Sequence, residues 1–179
     1  MENPNSYCTY VKNLDENNLH RIYHDTEYGF VVTNDNELFG RLILEINQAG
    51  LSWTTILKKK ENFRSSFSNF HIHKVANYDE KDIQRLLNDS GIIRNKFKIN
   101  AIIFNAKKIQ IIQKRCGSFY NWLKKNAHND LNQWVKLIKE NFKFTGGEIT
   151  KEFLMCIGVL DGAHDSSCPI NLELEKQTS

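Results

Sequence analysis

Leu86-Leu-Asn-Asp-Ser-Gly-Ile-Ile-Arg-Asn-Lys96 leaves one helical pattern, turns at Gly91 and enters another. Ile83, Leu86 and Leu87 mark the first helix, and Ile99, Ile102, Ile103, Ala106 and Ile109 mark a longer one beyond the turn. Such a helix–hairpin–helix exposes backbone N–H groups at the start of its second helix. Together with the helix dipole these favour a phosphate, and Arg94, Lys96 or Lys98 adds positive charge. Ile92 and Ile93 are expected to anchor the turn in the core. An ordinary αα-hairpin has the same outline, so the flanking charge matters. No Asp or Glu occurs from Ser90 to Asn129, whereas Arg94, Lys96, Lys98, Lys107, Lys108, Lys114, Arg115, Lys124 and Lys125 all fall there. A basic segment within a chain of net charge only +3 is the footprint of phosphate contacts. The competing reading is a solvated, lysine-rich helix face.

Working outward, helical periodicity continues almost everywhere between Pro4 and Pro169, the only two prolines. Leu38, Phe39, Leu42, Ile43, Ile46 and Ala49 form one amphipathic helix, with Asn34 or Asp35 as N-cap and Gly50 just past its end. Further helices are expected around Phe119–Lys125, Leu131–Glu140 and Lys151–Gly158, with Phe144-Thr-Gly-Gly147 punctuating the last two. Only Phe30–Thr33 has a short β-like character. The pattern predicts an all-α protein. Its 179 residues suit a single domain, 1–179, with room for two helical lobes.

With 40% hydrophobic and 25% charged residues, the chain is globular rather than disordered. Charges interrupt every apolar cluster before it reaches bilayer-spanning length, so no membrane partner is expected. The polar stretch Met1–Asn13 lacks the apolar segment of a secretion signal, which makes the cytoplasm the expected location.

Two pairs of metal-type ligands lie at opposite ends: Cys8 with His24, and His164 with Cys168. A Cys₂His₂ set is a common structural zinc site, and here it would tie the two termini together. Core cysteines and surface histidines are the alternative.

Glu45 lies three residues after Leu42 and four before Ala49, on the apolar stripe of its helix. A carboxylate there is expensive unless it is paired or hydrogen-bonded. Either a buried Lys or Arg pairs with it, or it accepts hydrogen bonds from a ligand. Trp53, closing Gln48-Ala-Gly-Leu-Ser-Trp53, offers a flat surface near the same helix end, and Tyr23 and Tyr28 flank His24. Aromatic walls with a carboxylate suit a planar, electron-poor or cationic guest.

Several segments resemble the DNA-3-methyladenine glycosylase I family: Tyr23-His-Asp-Thr-Glu-Tyr-Gly29, Leu44-Glu-Ile-Asn-Gln-Ala-Gly-Leu-Ser-Trp53, Gly91-Ile-Ile-Arg94 and His164-x-x-x-Cys168. The resemblance runs in order from Cys8 to Cys168. It implies an all-α helix–hairpin–helix DNA glycosylase fold with a structural zinc joining the N- and C-terminal segments. By position it assigns zinc to Cys8, His24, His164 and Cys168. It assigns base recognition to Glu45, with Tyr23 and Trp53 stacking on the base. His20 and Tyr28 stand where the family has a tyrosine and a tryptophan, so they belong to the candidate base-binding set and bear on substrate range. On the DNA side Leu51 is the candidate wedge, Gly91 and Arg94 hold phosphate, and Gln48 and Lys96 complete the expected contacts.

The implied activity is excision of 3-methyladenine from double-stranded, alkylated DNA by a monomer. Glu45 acts there through electrostatics, since no acid follows the hairpin to serve as general base. A glycosylase for another alkylated base and a non-catalytic, zinc-stabilised DNA-binding protein are the alternatives.

Overall fold

A computed structural model describes the backbone of residues 6–178 and the side chains of residues 6–174. Among the described residues every regular element is helical. The helices are α1 (Tyr7–Lys12), α2 (Leu19–Thr26), α3 (Asp35–Gln48), α4 (Trp53–Ser66), α5 (Ile72–Ala76), α6 (Glu80–Asn88), α7 (Lys96–Cys116), α8 (Phe119–Lys125), α9 (Leu131–Asn141), α10 (Gly147–Cys156) and α11 (Pro169–Thr178), with a 3-10 turn at Ser68–Phe70. Phe30–Thr33 forms no strand. The β-like residues are there, but no other extended segment in the described chain supplies a pairing edge.

The helix boundaries follow local chemistry. Asn34 caps α3 by accepting from the N–H groups of Asn36 and Glu37, at 2.9 and 3.1 Å. Ser52 caps α4 through the Thr55 N–H, starting a helix whose lysine-rich middle hides its apolar face from a periodicity reading. Helix α10 begins at Gly147, earlier than the residues after the glycines suggest.

The contacts divide the chain into two compact units, one joining the residues up to Val31 to those from Leu154 onward, the other comprising Val32–Phe153. The second unit is built on α3 and α7. Leu38, Phe39, Leu42, Ile43 and Ile46 of α3 and Ile99, Ile102, Ala106 and Ile109 of α7 are all buried. Asp35, the first residue of α3, accepts from Gln113 Nε2 and from the backbone N–H groups of Phe119 and Tyr120, locking the α7–α8 corner. In the first unit, the Gly29 N–H donates to the Cys156 carbonyl at 3.1 Å, fastening the chain after α2 to the end of α10.

Candidate functional site

The first unit brings Cys8, His24, His164 and Cys168 together, with all four ligand atoms within 4.8 Å of one another. His24 Nε2 lies 3.2 Å from Cys8 Sγ and 3.1 Å from His164 Nδ1. Cys168 Sγ lies 3.9 Å from His24 Nε2 and 3.8 Å from His164 Nδ1. A tetrahedral metal with sulfur ligands at ~2.3 Å and nitrogen ligands at ~2.0 Å sets ligand–ligand edges of about 3.3–3.8 Å. The cluster is already close to that size.

The outer ring nitrogens point to the same conclusion. His24 Nδ1–H donates to Asp25 Oδ1 at 2.6 Å, and His164 Nε2–H donates to the Tyr28 carbonyl at 2.7 Å. Each bond fixes a tautomer that turns a lone pair toward the sulfurs, as metal-binding histidines require. Burial, joined by the neighbouring Cys168, pushes the Cys8 thiol up to about 11. Two thiolates at this spacing need a cation, so the donor set fits a metal ion.

A cavity of about 270 Å³ adjoins the cluster, lined in part by Lys12, Arg21, Asp25, Ser167 and Ile170. Its lining contains no Phe, Tyr or Trp. It therefore lacks the flat walls a base would need.

Beside the cluster the structure gathers Tyr23, Tyr28 and His20, all buried, around Tyr7. Ring centroids are 5.8 Å apart for Tyr7 and His20, 5.6 Å for Tyr7 and Tyr28, and 5.7 Å for Tyr23 and Tyr28. The Tyr7 hydroxyl also lies 3.0 Å from His20 Nδ1. Burial lowers the His20 pKa, favouring the neutral imidazole, and raises that of the Tyr7 phenol. Tyr7 escapes the sequence reading because a tyrosine one residue before a cysteine carries no periodic signal.

In the second unit Glu45 is buried, as its place on the stripe requires. Burial, reinforced by the charge of Glu152, pushes its carboxyl up to about 8, and Arg41 opposes the shift. Arg41 is one helical turn before Glu45, so its role was readable from i, i+4 spacing. Glu152 lies on α10, and only the fold brings its charge to bear.

Helix α3 then ends in a tight turn. The Leu51 N–H donates to the Gln48 carbonyl at 2.7 Å, Ala49 has φ −50° and ψ 116°, and Gly50 has φ 81°. These angles define a type II turn, whose third position demands glycine. The turn leaves Leu51 exposed and Gln48 and Trp53 half-buried.

The hairpin between α6 and α7 departs from the phosphate-cradle expectation in its details. The Gly91 N–H donates to Asp89 Oδ1 at 2.7 Å, and the N–H groups of Phe97 and Lys98 donate to Asn95 Oδ1. Those three donors are satisfied within the chain. A Cβ at Gly91 would come within 2.9 Å of the Asp89 carboxylate and 3.2 Å of Asn62, so the glycine is needed for close approach. Ile92 is buried as expected, whereas Ile93 is half-buried. Arg94 and Lys96 are exposed, Lys96 lying 4.0 Å from Glu80. Lys98 corrects the sequence expectation: it is buried, so it adds no charge to the surface. Its position beside Ile99, and four residues before Ile102, was the available signal.

Residues 13–136 match the family described as Methyladenine glycosylase. The chain is 35% identical over 167 residues to DNA-3-methyladenine glycosylase 1 of Escherichia coli, covering 83% of this chain and 89% of that protein. It is 32% identical over 178 residues to DNA-3-methyladenine glycosylase of Haemophilus influenzae, covering 87% and 94%. Its fold matches the solved 3-methyladenine DNA glycosylase I of Staphylococcus aureus, described with the structural basis of its 3-methyladenine recognition, with a TM-score of 0.79 at 31% identity. That match covers 87% of this chain and 93% of the other. With a family match over most of its length and relatives at this identity, the chain belongs to the methyladenine glycosylase family.

Proposed function

We propose that this protein excises 3-methyladenine from alkylated double-stranded DNA by hydrolysing its N-glycosidic bond, the first step of base excision repair. The observation that carries this reading is Glu45: a buried carboxyl, pushed up to about 8, one turn before the Gln48–Trp53 segment. A core has no use for such a group, and a cationic guest does. Relatives over nearly the whole chain are named for 3-methyladenine glycosylase activity.

Methylation at N3 makes adenine cationic, so the base departs neutral when it takes the electron pair of the bond to C1′. Water supplies the oxygen at C1′, and its proton passes to solvent. Catalysis therefore leans on recognition of a good leaving group. Glu45 attracts the cation and accepts its N–H. The resemblance assigns stacking to Trp53 and Tyr23, with Tyr28 and His20 completing the base-binding set. It gives Leu51 the stacking site vacated by the flipped base, and Gln48, Gly91, Arg94 and Lys96 the DNA itself. Cys8, His24, His164 and Cys168 would hold a structural zinc, which would link the terminal segments and take no part in the chemistry. The protein is read as a cytoplasmic monomer.

Base-release chromatography on DNA treated with a methylating agent tests the reading. Free 3-methyladenine is the expected product. Release of a different alkylated base alone would move the assignment to that base, and binding without release would favour the non-catalytic alternative.

A further inference from the structure

The structure assigns Lys98 a task that no surface lysine could perform: we infer that it is a positioning residue that sets the Gln48–Leu51 turn for insertion into DNA. Its side chain is buried, yet its ammonium donates to the Asn47 carbonyl at 2.9 Å and the Ala49 carbonyl at 2.8 Å. It also lies 5.7 Å from the centre of the Phe144 ring. Burial lowers its pKa, so the two carbonyls, at the negative end of α3, are what make a cation tolerable there.

The location of the second carbonyl is decisive. Ala49 and Gly50 are the central residues of the type II turn, and the peptide between them is the one that flips between turn types I and II. Its oxygen is the Ala49 carbonyl. By holding that oxygen, Lys98 selects type II and thereby the direction in which Leu51 leaves the turn. The neighbouring loop is held separately: Asn105 donates to the Lys143 carbonyl and accepts its N–H, at 3.0 and 2.8 Å, and Phe144 takes φ 60°, a region non-glycine residues rarely adopt. Lys98 is therefore the meeting point of a helix end, a turn and a braced loop.

This inference rests on the glycosylase reading, and the experiment separates the two. Lys98→Met keeps the buried stem and removes the donors, and Lys98→Gln keeps part of the donor set. Single-turnover excision is measured on one lesion in duplex and in single-stranded DNA, with melting curves in parallel. A turn that must enter the stack matters only where there is a stack. Lys98→Met should thus lose roughly 10- to 100-fold on duplex and less than about threefold on single strands, since a misplacement near 1 Å suffices for such losses. Lys98→Gln should fall between Lys98→Met and wild type, and it replaces Lys98→Met in the comparison if that variant does not fold.

A second readout needs no catalysis: a 2-aminopurine beside a stable abasic-site analogue reports insertion through its fluorescence. Wild type should change that signal, Lys98→Gln should change it less, and Lys98→Met should not change it. Equal losses on both DNA forms, or a 2-aminopurine response like that of wild type, would overturn the role of Lys98. Absence of excision by wild type with a retained, Lys98-dependent 2-aminopurine response would instead overturn the glycosylase reading and leave Lys98 in place.

Discussion

The Cys/His cluster of the first unit and Glu45 of the second are both buried polar sites, and they are built on opposite principles. At the cluster, both outer histidine nitrogens are engaged, by Asp25 and by the Tyr28 carbonyl, which turns the inward lone pairs toward the two sulfurs. At Glu45, a second acid, Glu152, adds to the strain that burial imposes. On the proposed reading, the first arrangement converts binding of an ion into folding stability. The second, on the same proposed reading, costs stability that a bound cation returns. The two buried polar sites thus differ in their neighbours: hydrogen-bond acceptors beside the cluster histidines, a second acid beside Glu45.

The largest expected effect breaks the first side of the comparison. Elemental analysis of protein purified without added metal should find one zinc per chain. Cys168→Ser or a strong chelator should lower stability by at least about 3 kcal/mol, in line with other structural sites. A metal-free protein whose melting is indifferent to Cys168→Ser would remove the metal from this account.

Next comes Glu45→Gln, which should act in opposite directions on activity and stability. Excision of 3-methyladenine should fall roughly 100-fold, as when an electrostatic stabiliser is removed from other active sites. Stability should rise. The carboxyl titrates near 4.5 in the unfolded chain and at about 8 in the folded one. Between these values the folded state holds a proton that the unfolded state has released, so wild-type stability falls as pH climbs from about 4.5 to about 8. Glu45→Gln should flatten that decline and be more stable by on the order of a few kcal/mol above pH ~8. Binding a cation favours the carboxylate, so wild-type excision should increase with pH toward about 8 and the variant's should not. Denaturant titrations and single-turnover rates across this range check both halves, and a parallel pH profile for the two proteins would sink the charge-recognition role.

Trp53→Ala sharpens the comparison by removing a flat surface without touching a charge. Excision should fall by about 1–3 kcal/mol of stacking, with the pH profile retained. A change in that profile would mean that Trp53 acts through Glu45.

The smallest effects belong to the exposed charges. Arg94→Ala and Lys96→Ala should each weaken binding alike on unrelated duplexes and reduce the salt slope by about 1. Lys96 also lies near Glu80, so its effect should be the weaker of the two. Unchanged slopes in both variants would assign these charges to solvent.

Glu45 was legible because a helix repeats every 3.6 residues, and a carboxylate among Leu38, Leu42 and Ala49 violates that pattern on its own. Asn34 as N-cap and Gly50 past the helix end were legible because capping and turn chemistry are local. Lys98 was misread for an instructive reason. The basic residues shortly before it, Arg94 and Lys96, are exposed, and counting charge along the chain groups it with them. Counting along the helix groups it with Ile102, Asn105 and Ile109, all of which are buried. Helix α4 carried a cap at Ser52, but three consecutive lysines, Lys58–Lys60, masked its apolar face.

The sequence by itself determined whatever depends on near neighbours: the helical class, the turn at Gly50, the donor types at Cys8, His24, His164 and Cys168, and the misplaced acid at Glu45. Tertiary structure alone decided which groups complete them. It brought Cys8 to His164 across the whole chain, set Glu152 to act on Glu45, turned the Tyr28 carbonyl onto His164 Nε2, and drew the Lys98 ammonium onto the turn that carries Leu51. The physical reason is range. Helix periodicity and turn angles are set within a few residues, whereas desolvation and charge act through space on whatever folding brings close.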